Sequence, residues 1–131
     1  MTNIVTICRA LGDATRWRIV RLVMDEALCV CELAEILGMP QSSLSSHVQI
    51  IRKAGLLESE KCEKWTYFRI EKKYLKLLRS MESGLGEDAD PLWTEDARNA
   101  AARMAKREQS CCPGPKRLLS RRSSSPALPS S

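Results

Sequence analysis

Residues 41–70 read QSSLSSHVQIIRKAGLLESEKCEKWTYFRI. Leu44, Val48 and Ile51 recur at intervals of four and three, one stripe of a helix from about Gln41 to Ala54, and Gly55 ends it. The rest of its surface carries Ser42, Ser43, Ser45, Ser46, His47 and Gln49, short or hydrogen-bonding side chains where strong helix formers would stabilise more. A face of that kind suits base edges and phosphates. Leu56 to Glu60, a polar turn through Lys61 to Lys64, and Trp65 to Ile70 then spell a β-hairpin, its second strand rich in aromatic and β-branched residues.

Toward the N-terminus, Gly38-Met39-Pro40 makes a tight turn, and Leu33, Ile36 and Leu37 give the apolar stripe of a short helix that Gly38 closes. Asp13 and Thr15 are caps for a helix over about 14–25, with Ile19, Val20, Val23 and Met24 on one face. A short helix, a glycine turn, a helix with a polar face and a hairpin predict a mainly α winged helix-turn-helix, whose second helix enters the major groove of DNA. The residues expected at double-stranded DNA are Gln41, Ser42, Ser43, Ser45, Ser46, His47, Gln49, Arg52 and Lys53 on that helix. Lys61, Lys64 and Arg69 on the wing are expected at flanking phosphates. Tyr74, Leu75, Leu77, Leu78 and Met81 form a further apolar stripe over about 71–83, expected to join two copies in a homodimer on inverted half-sites.

Charge follows this division. The chain has 131 residues and a formal net charge of +5, but residues 41–79 hold nine basic side chains against four acidic, and 82–96 hold six acidic and no basic ones. A basic middle segment suits a polyanion. Length and composition predict a DNA-binding and dimerisation domain over 1–83, then a linker with a further helix over 84–110. A disordered, basic, Pro/Ser-rich tail with a vicinal cysteine pair is expected over 111–131. Neither a secretory leader nor a long apolar run is present in these residues, so a cytoplasmic protein is expected.

In a reducing compartment the six cysteines are thiols or ligands before they are disulfides. Cys29-Val30-Cys31 stands at the start of the helix before the recognition helix, where a helix N-terminus favours the thiolate and thiolates select soft ions. On a regular helix, residues two apart point about 200° from each other. Both sulfurs are therefore expected to reach one ion only if the helix start is distorted, which would set ligand binding against DNA binding.

LGDATRWRIVRLV (11–23), ALCVCELAEILG (27–38), MPQSSLSSHVQIIRKAGLL (39–57) and KWTYFRI (64–70) together resemble the ArsR/SmtB family of bacterial metal-sensing repressors. The resemblance implies a dimeric winged helix that occupies its operator without metal and leaves it when metal binds. It is greatest to the arsenic-sensing ArsR subgroup, which implies As(III) or Sb(III) as inducer, no organic cofactor, and Cys29 and Cys31 as the first two ligands. Where that subgroup often has a third cysteine this chain has Ala34, so the third sulfur is expected from Cys8, Cys62, Cys111 or Cys112, unless two suffice. The implied function is repression of an arsenic-resistance operon.

Two further readings use the same thiols. A cadmium- and lead-sensing subgroup of the family also carries Cys-Val-Cys here, with more cysteines in a longer N-terminal extension, where this chain has only Cys8. A thiol-redox repressor is the second. The zinc- and nickel-sensing subgroups need histidines on the last helix, and the single histidine, His47, lies elsewhere. An enzyme is the reading from another class, since Cys111 and Arg117 have the Cys-x5-Arg spacing of a phosphate loop found in some arsenate reductases. Pro, Gly and Ser around the motif speak against the strand and helix such a loop needs, so no enzyme is expected.

Overall fold

Asn3 and Asp13 start the first two helices by the same device. Each lends a side-chain oxygen to a backbone N–H three residues on, Thr6 at 2.9 Å and Arg16 at 3.1 Å. The computed structural model describes residues 3–86, 90–109 and 112–121. Its elements are α1 (Ile4–Leu11), α2 (Ala14–Asp25), α3 (Val30–Leu37), α4 (Gln41–Lys53), β1 (Leu57–Cys62), β2 (Trp65–Ile70), α5 (Leu75–Gly84) and α6 (Pro91–Ala105), with short 3-10 turns at Lys72–Tyr74 and Arg107–Gln109. This is the mainly helical winged helix-turn-helix predicted from the sequence.

The stripes read from the sequence face one core. Ile19, Val20 and Val23 of α2, Leu33 and Ile36 of α3, and Leu44, Val48 and Ile51 of α4 are all buried in a single cluster with Leu56, Phe68 and Ile70 of the wing. Gly38 closes α3 with φ +66°, a left-handed conformation that glycine adopts without steric cost. β1 and β2 pair antiparallel from Leu57 opposite Ile70 to Cys62 opposite Trp65. Lys61 and Cys62 therefore belong to the strand, leaving Glu63 and Lys64 as a two-residue turn in place of the four-residue turn expected.

One bridge decides where the thiols lie. Leu28 exchanges both backbone hydrogen bonds with Phe68, 3.0 and 2.9 Å, so the residue before Cys29 makes an isolated β-bridge to the wing. The start of α3 is thereby tied to the hairpin.

Three further features differ from the sequence expectation. α1 was not foreseen, although Ile7 and Ala10 have helical spacing and are buried. The helix expected over 71–83 begins only at Leu75, after the 3-10 turn. Against the disorder expected of 111–131, its described part from Cys112 to Arg121 lies on the domain as a strap, with Cys112, Gly114 and Leu118 buried. Composition weighs apolar burial, whereas the strap is held mainly by hydrogen bonds. Expectations for residues 111 and 122–131 fall outside the described residues.

α6 docks on α2 and α3 through named pairs. Arg18 grips Asp96 with two bonds of 2.9 and 3.0 Å, and Arg103 meets Glu35 at 2.8 Å. The Arg21 guanidinium stacks 4.3 Å over the ring of Trp93, which gives that tryptophan a structural role the sequence did not suggest.

Candidate thiol site and nucleic-acid interface

Cys29 is the N-cap of α3, with extended backbone (φ −90°, ψ 168°), so it precedes the helix. This removes the geometric conflict expected for two helical residues two apart. The sulfurs of Cys29, Cys31 and Cys112 all lie within 4.8 Å of one another, and Cys29 Sγ is 3.6 Å from Cys112 Sγ. Two thiolates bound tetrahedrally to one zinc-sized ion, with bonds of about 2.3 Å, stand about 3.8 Å apart. Among the described residues the cluster contains no histidine or carboxylate. Of the other expected sources of a third sulfur, Cys8 is exposed on α1, outside the cluster, and Cys111 lies outside the described residues. Cys62 is buried in the same small core as Cys29 and Cys112 without joining the cluster.

The thiolate expected at the helix start is not favoured at Cys29. Burial pushes its thiol up to about 11; the hydrogen bond from the Glu32 backbone N–H opposes this, and the Glu32 carboxylate adds to it. Desolvation outweighs the partial positive charge of a helix start.

Beneath the sulfurs lies a buried ionic network. The Glu32 carboxylate, fully buried, accepts from the Cys29 backbone N–H at 3.2 Å and from Arg107 twice, at 2.9 and 2.8 Å. Arg107 also donates to the Ala27 carbonyl at 2.8 Å and lies 5.3 Å over the Tyr67 ring. Gly114 (φ +92°) comes so close to Arg107 that a Cβ there would sit 3.0 Å from its Cδ. The Gly114 N–H donates to the Tyr67 hydroxyl at 2.7 Å. Spacing does not reveal these partners, because Glu32, Tyr67, Arg107 and Gly114 meet only through the fold.

The strap that carries Cys112 is anchored on the wing. Glu60 of β1 accepts from three successive backbone N–H groups, Lys116 at 2.8 Å, Arg117 at 2.8 Å and Leu118 at 3.0 Å. Arg121 donates to the carbonyls of Met24 and Ile70, both at 2.9 Å. Of the amides that a Cys-x5-Arg phosphate loop would aim at an oxyanion, those of Lys116 and Arg117 are given to Glu60 and that of Gly114 to Tyr67, and 112–121 holds neither helix nor strand. Burial raises the Glu60 carboxyl, but the amides of Lys116, Leu118 and Arg117 outweigh it and hold the group below its usual range. A lowered carboxylate contributes its stabilisation above its unfolded value and loses it as pH falls through the folded one. The Glu60 contribution to docking is therefore expected to be present at neutral pH and to fade in acid. Glu60→Ala is expected to speed tryptic cleavage after the exposed Lys116 and Arg117 by about tenfold at neutral pH. Unchanged cleavage would show that Glu60 does not hold the strap.

The expected DNA face divides in two. Gln41, Ser42, Ser43, Ser45, Ser46, Gln49, Arg52 and Lys53 are exposed on α4, and Lys61 and Lys64 are exposed at the wing. His47 and Arg69 are turned inward. His47 Nδ1 lies 3.3 Å from Arg16 Nη1, at the start of α2. Arg69 pairs with Glu58 at 2.8 Å and donates to the Leu119 carbonyl at 2.6 Å, so it holds wing and strap together instead of reaching outward.

Comparison with known proteins agrees with this geometry. Residues 13–59 match the arsR family of bacterial regulatory proteins. The arsenic resistance transcriptional regulator ArsR1 of Pseudomonas putida is 32% identical over 105 residues, 79% of this chain and 81% of that protein. The cadmium resistance transcriptional regulatory protein CadC of Listeria innocua is 36% identical over 59% of this chain and 64% of its own length. Among solved structures, a homodimeric winged helix-turn-helix DNA-binding domain of Mycobacterium bovis superposes with a TM-score of 0.60, at 22% identity over 66% of this chain and 81% of that one. These are transcriptional regulators, not enzymes, and no helix among the described residues is long and apolar enough to cross a membrane. The chain belongs to the arsR family of bacterial regulatory proteins, a DNA-binding transcriptional regulator built as a winged helix.

Proposed function

We propose that the protein represses an arsenic-resistance operon and leaves its operator when As(III) or Sb(III) is bound by Cys29, Cys31 and Cys112. The observation that carries this is the all-sulfur cluster, three thiols within 4.8 Å with no nitrogen or oxygen donor among them. Soft, thiophilic ions suit such a donor set, and borderline metals that use imidazole and carboxylate do not. Exposed Ser42, Ser43, Ser45, Ser46 and Gln49 read the major groove, and Arg52, Lys53, Lys61 and Lys64 meet phosphates. Ile4 and Val5 of α1 and Leu77 of α5 are exposed apolar residues on which a second copy would pair.

Release follows from the strap. Cys112 draws on the strap, and the strap holds the wing through Glu60 and Arg69, so closing three sulfurs on one ligand biases the wing. Ligand and DNA then prefer different placements of one element and oppose each other. The test is fluorescence anisotropy of the reduced protein on its own promoter DNA, titrated separately with As(III), Sb(III), Cd(II), Zn(II) and peroxide. Release by low-micromolar As(III) or Sb(III) is expected. Release by Cd(II) or peroxide alone, with As(III) inert, would refute the inducer assignment.

The same titration has an expected pH signature. Arsenous acid and three thiols give three As–S bonds and three waters with no net proton, whereas Cd(II) must expel a proton from each thiol it binds. With the Cys29 thiol pushed up to about 11, that proton alone makes apparent Cd(II) affinity rise about 100-fold between about pH 6 and pH 8. As(III) affinity should stay nearly flat over that range. Equal slopes for both would contradict thiol ligation at Cys29.

A further inference from the structure

Cys29 and Cys31 are placed by the start of α3, whereas Cys112 stands on a segment with neither helix nor strand. The position of its sulfur therefore depends on what holds the strap beside it. Two residues on, the Gly114 N–H donates to the Tyr67 hydroxyl at 2.7 Å. Tyr67 is fully buried on β2, directly across the hairpin from Glu60, which takes the amides of Lys116, Arg117 and Leu118. One cross-strand pair thus receives four amides of the strap, and Tyr67 takes the one beside the cysteine. Arg107, fixed on Glu32, lies 5.3 Å over the Tyr67 ring, and Gly114 packs against the same Arg107 side chain. Burial pushes the Tyr67 phenol up to about 12 against the opposing Gly114 bond, so at neutral pH it is a neutral hydroxyl, an acceptor for the amide and no ligand for a soft ion.

We propose that Tyr67 is the positioning residue of the third sulfur: by holding the Gly114 amide it keeps Cys112 beside Cys29 and Cys31 before any ligand arrives, and it thereby favours ligands that bond three thiols over those that bond two. This role rests on the three-thiol ligand set proposed above. A loose strap would have to be ordered at the moment of binding, and that cost falls only on a ligand that uses Cys112. Groups that orient a ligand without touching the ion cost about 10–100-fold in affinity when removed.

On the reduced full chain, arsenite and methylarsonous acid are titrated by intrinsic tryptophan fluorescence, to which Trp65 beside the thiols contributes. Methylarsonous acid keeps its bond to carbon and exchanges two hydroxyls for two thiols as two waters leave, so it has no place for a third sulfur. Tyr67→Phe is expected to weaken arsenite about tenfold and to leave methylarsonous acid within about twofold. Cys112→Ser should show the same selectivity, and Tyr67→Phe added to it should cost nothing further, because the hydroxyl acts only through that sulfur. Gly114→Ala tests the same bond from the strap side. Its Cβ, 3.0 Å from Arg107 Cδ, would displace the amide while the hydroxyl and the hairpin stay intact, and the arsenite-selective loss is expected again. If Tyr67→Phe does not fold, Gly114→Ala decides alone. Equal weakening of both probes, a further loss in the Cys112→Ser background, or arsenite unmoved by Tyr67→Phe and Gly114→Ala while Cys112→Ser weakens it overturns the positioning role and leaves the three thiols standing. Arsenite indifferent to Cys112→Ser overturns the third ligand and the role with it.

Discussion

Cys29→Ser is expected to leave the protein on its operator and to raise the arsenite concentration needed for release by about 100-fold or more. The substitution is unusually clean. Residue 29 is the N-cap of α3, where serine is among the preferred residues, and the Glu32 backbone N–H that now faces the thiol can donate to the hydroxyl. The helix start and the backbone bridge from Leu28 to Phe68 are therefore kept, and DNA affinity should be unchanged. What is lost is a sulfur 3.6 Å from Cys112 and one of the three in the cluster. Cys31→Ser should behave in the same way, since its sulfur is in the same cluster and it is only half-buried. Anisotropy titrations of both variants with arsenite check this, and a normal response in both would remove the pair from the inducer site.

The second large effect concerns stability. Arg107→Ala should cost on the order of 3 kcal/mol, because it takes both guanidinium bonds from a carboxylate that has no exposure to water. Arg103, whose Nη1 stands 3.8 Å from Glu32, and the Cys29 backbone N–H soften the loss without replacing it. The Ala27 carbonyl loses a donor and the Tyr67 ring its cation at the same time. For a domain of this size a thermal melt should shift down by roughly 10 °C. Adding Glu32→Gln should recover part of the shift, since a neutral amide leaves no bare charge to bury. A melt unmoved by Arg107→Ala would mean that water reaches Glu32.

The winged helix was legible because its elements are local. Leu44, Val48 and Ile51 declare a helical period, Gly38 and Gly55 punctuate it, and the strand from Trp65 to Ile70 shows its own chemistry. The Cys-Val-Cys pair was legible for the same reason. The third sulfur was one of several possibilities, since choosing Cys112 needs the strap, and the strap depends on Glu60 accepting three amides from residues more than fifty positions away. Arg69 and His47 have partners that the sequence did not show, for a related cause. Their side-chain types suit phosphates and bases, but Glu58 and Arg16 face them across the fold and turn them inward.

Cys112 reaches Cys29 from 83 residues further along the chain, on the last described segment. In genetic terms, reading and sensing then fail separately. A nonsense or frameshift lesion just before codon 112 spares every described helix and the wing, so its product is expected to occupy the operator still, alone or paired with an intact copy. On the proposed function, the expected phenotype is a dominant super-repressor that leaves the cell arsenic-sensitive, whereas lesions in α4 that spare dimerisation give constitutive expression and poison the intact copy they pair with.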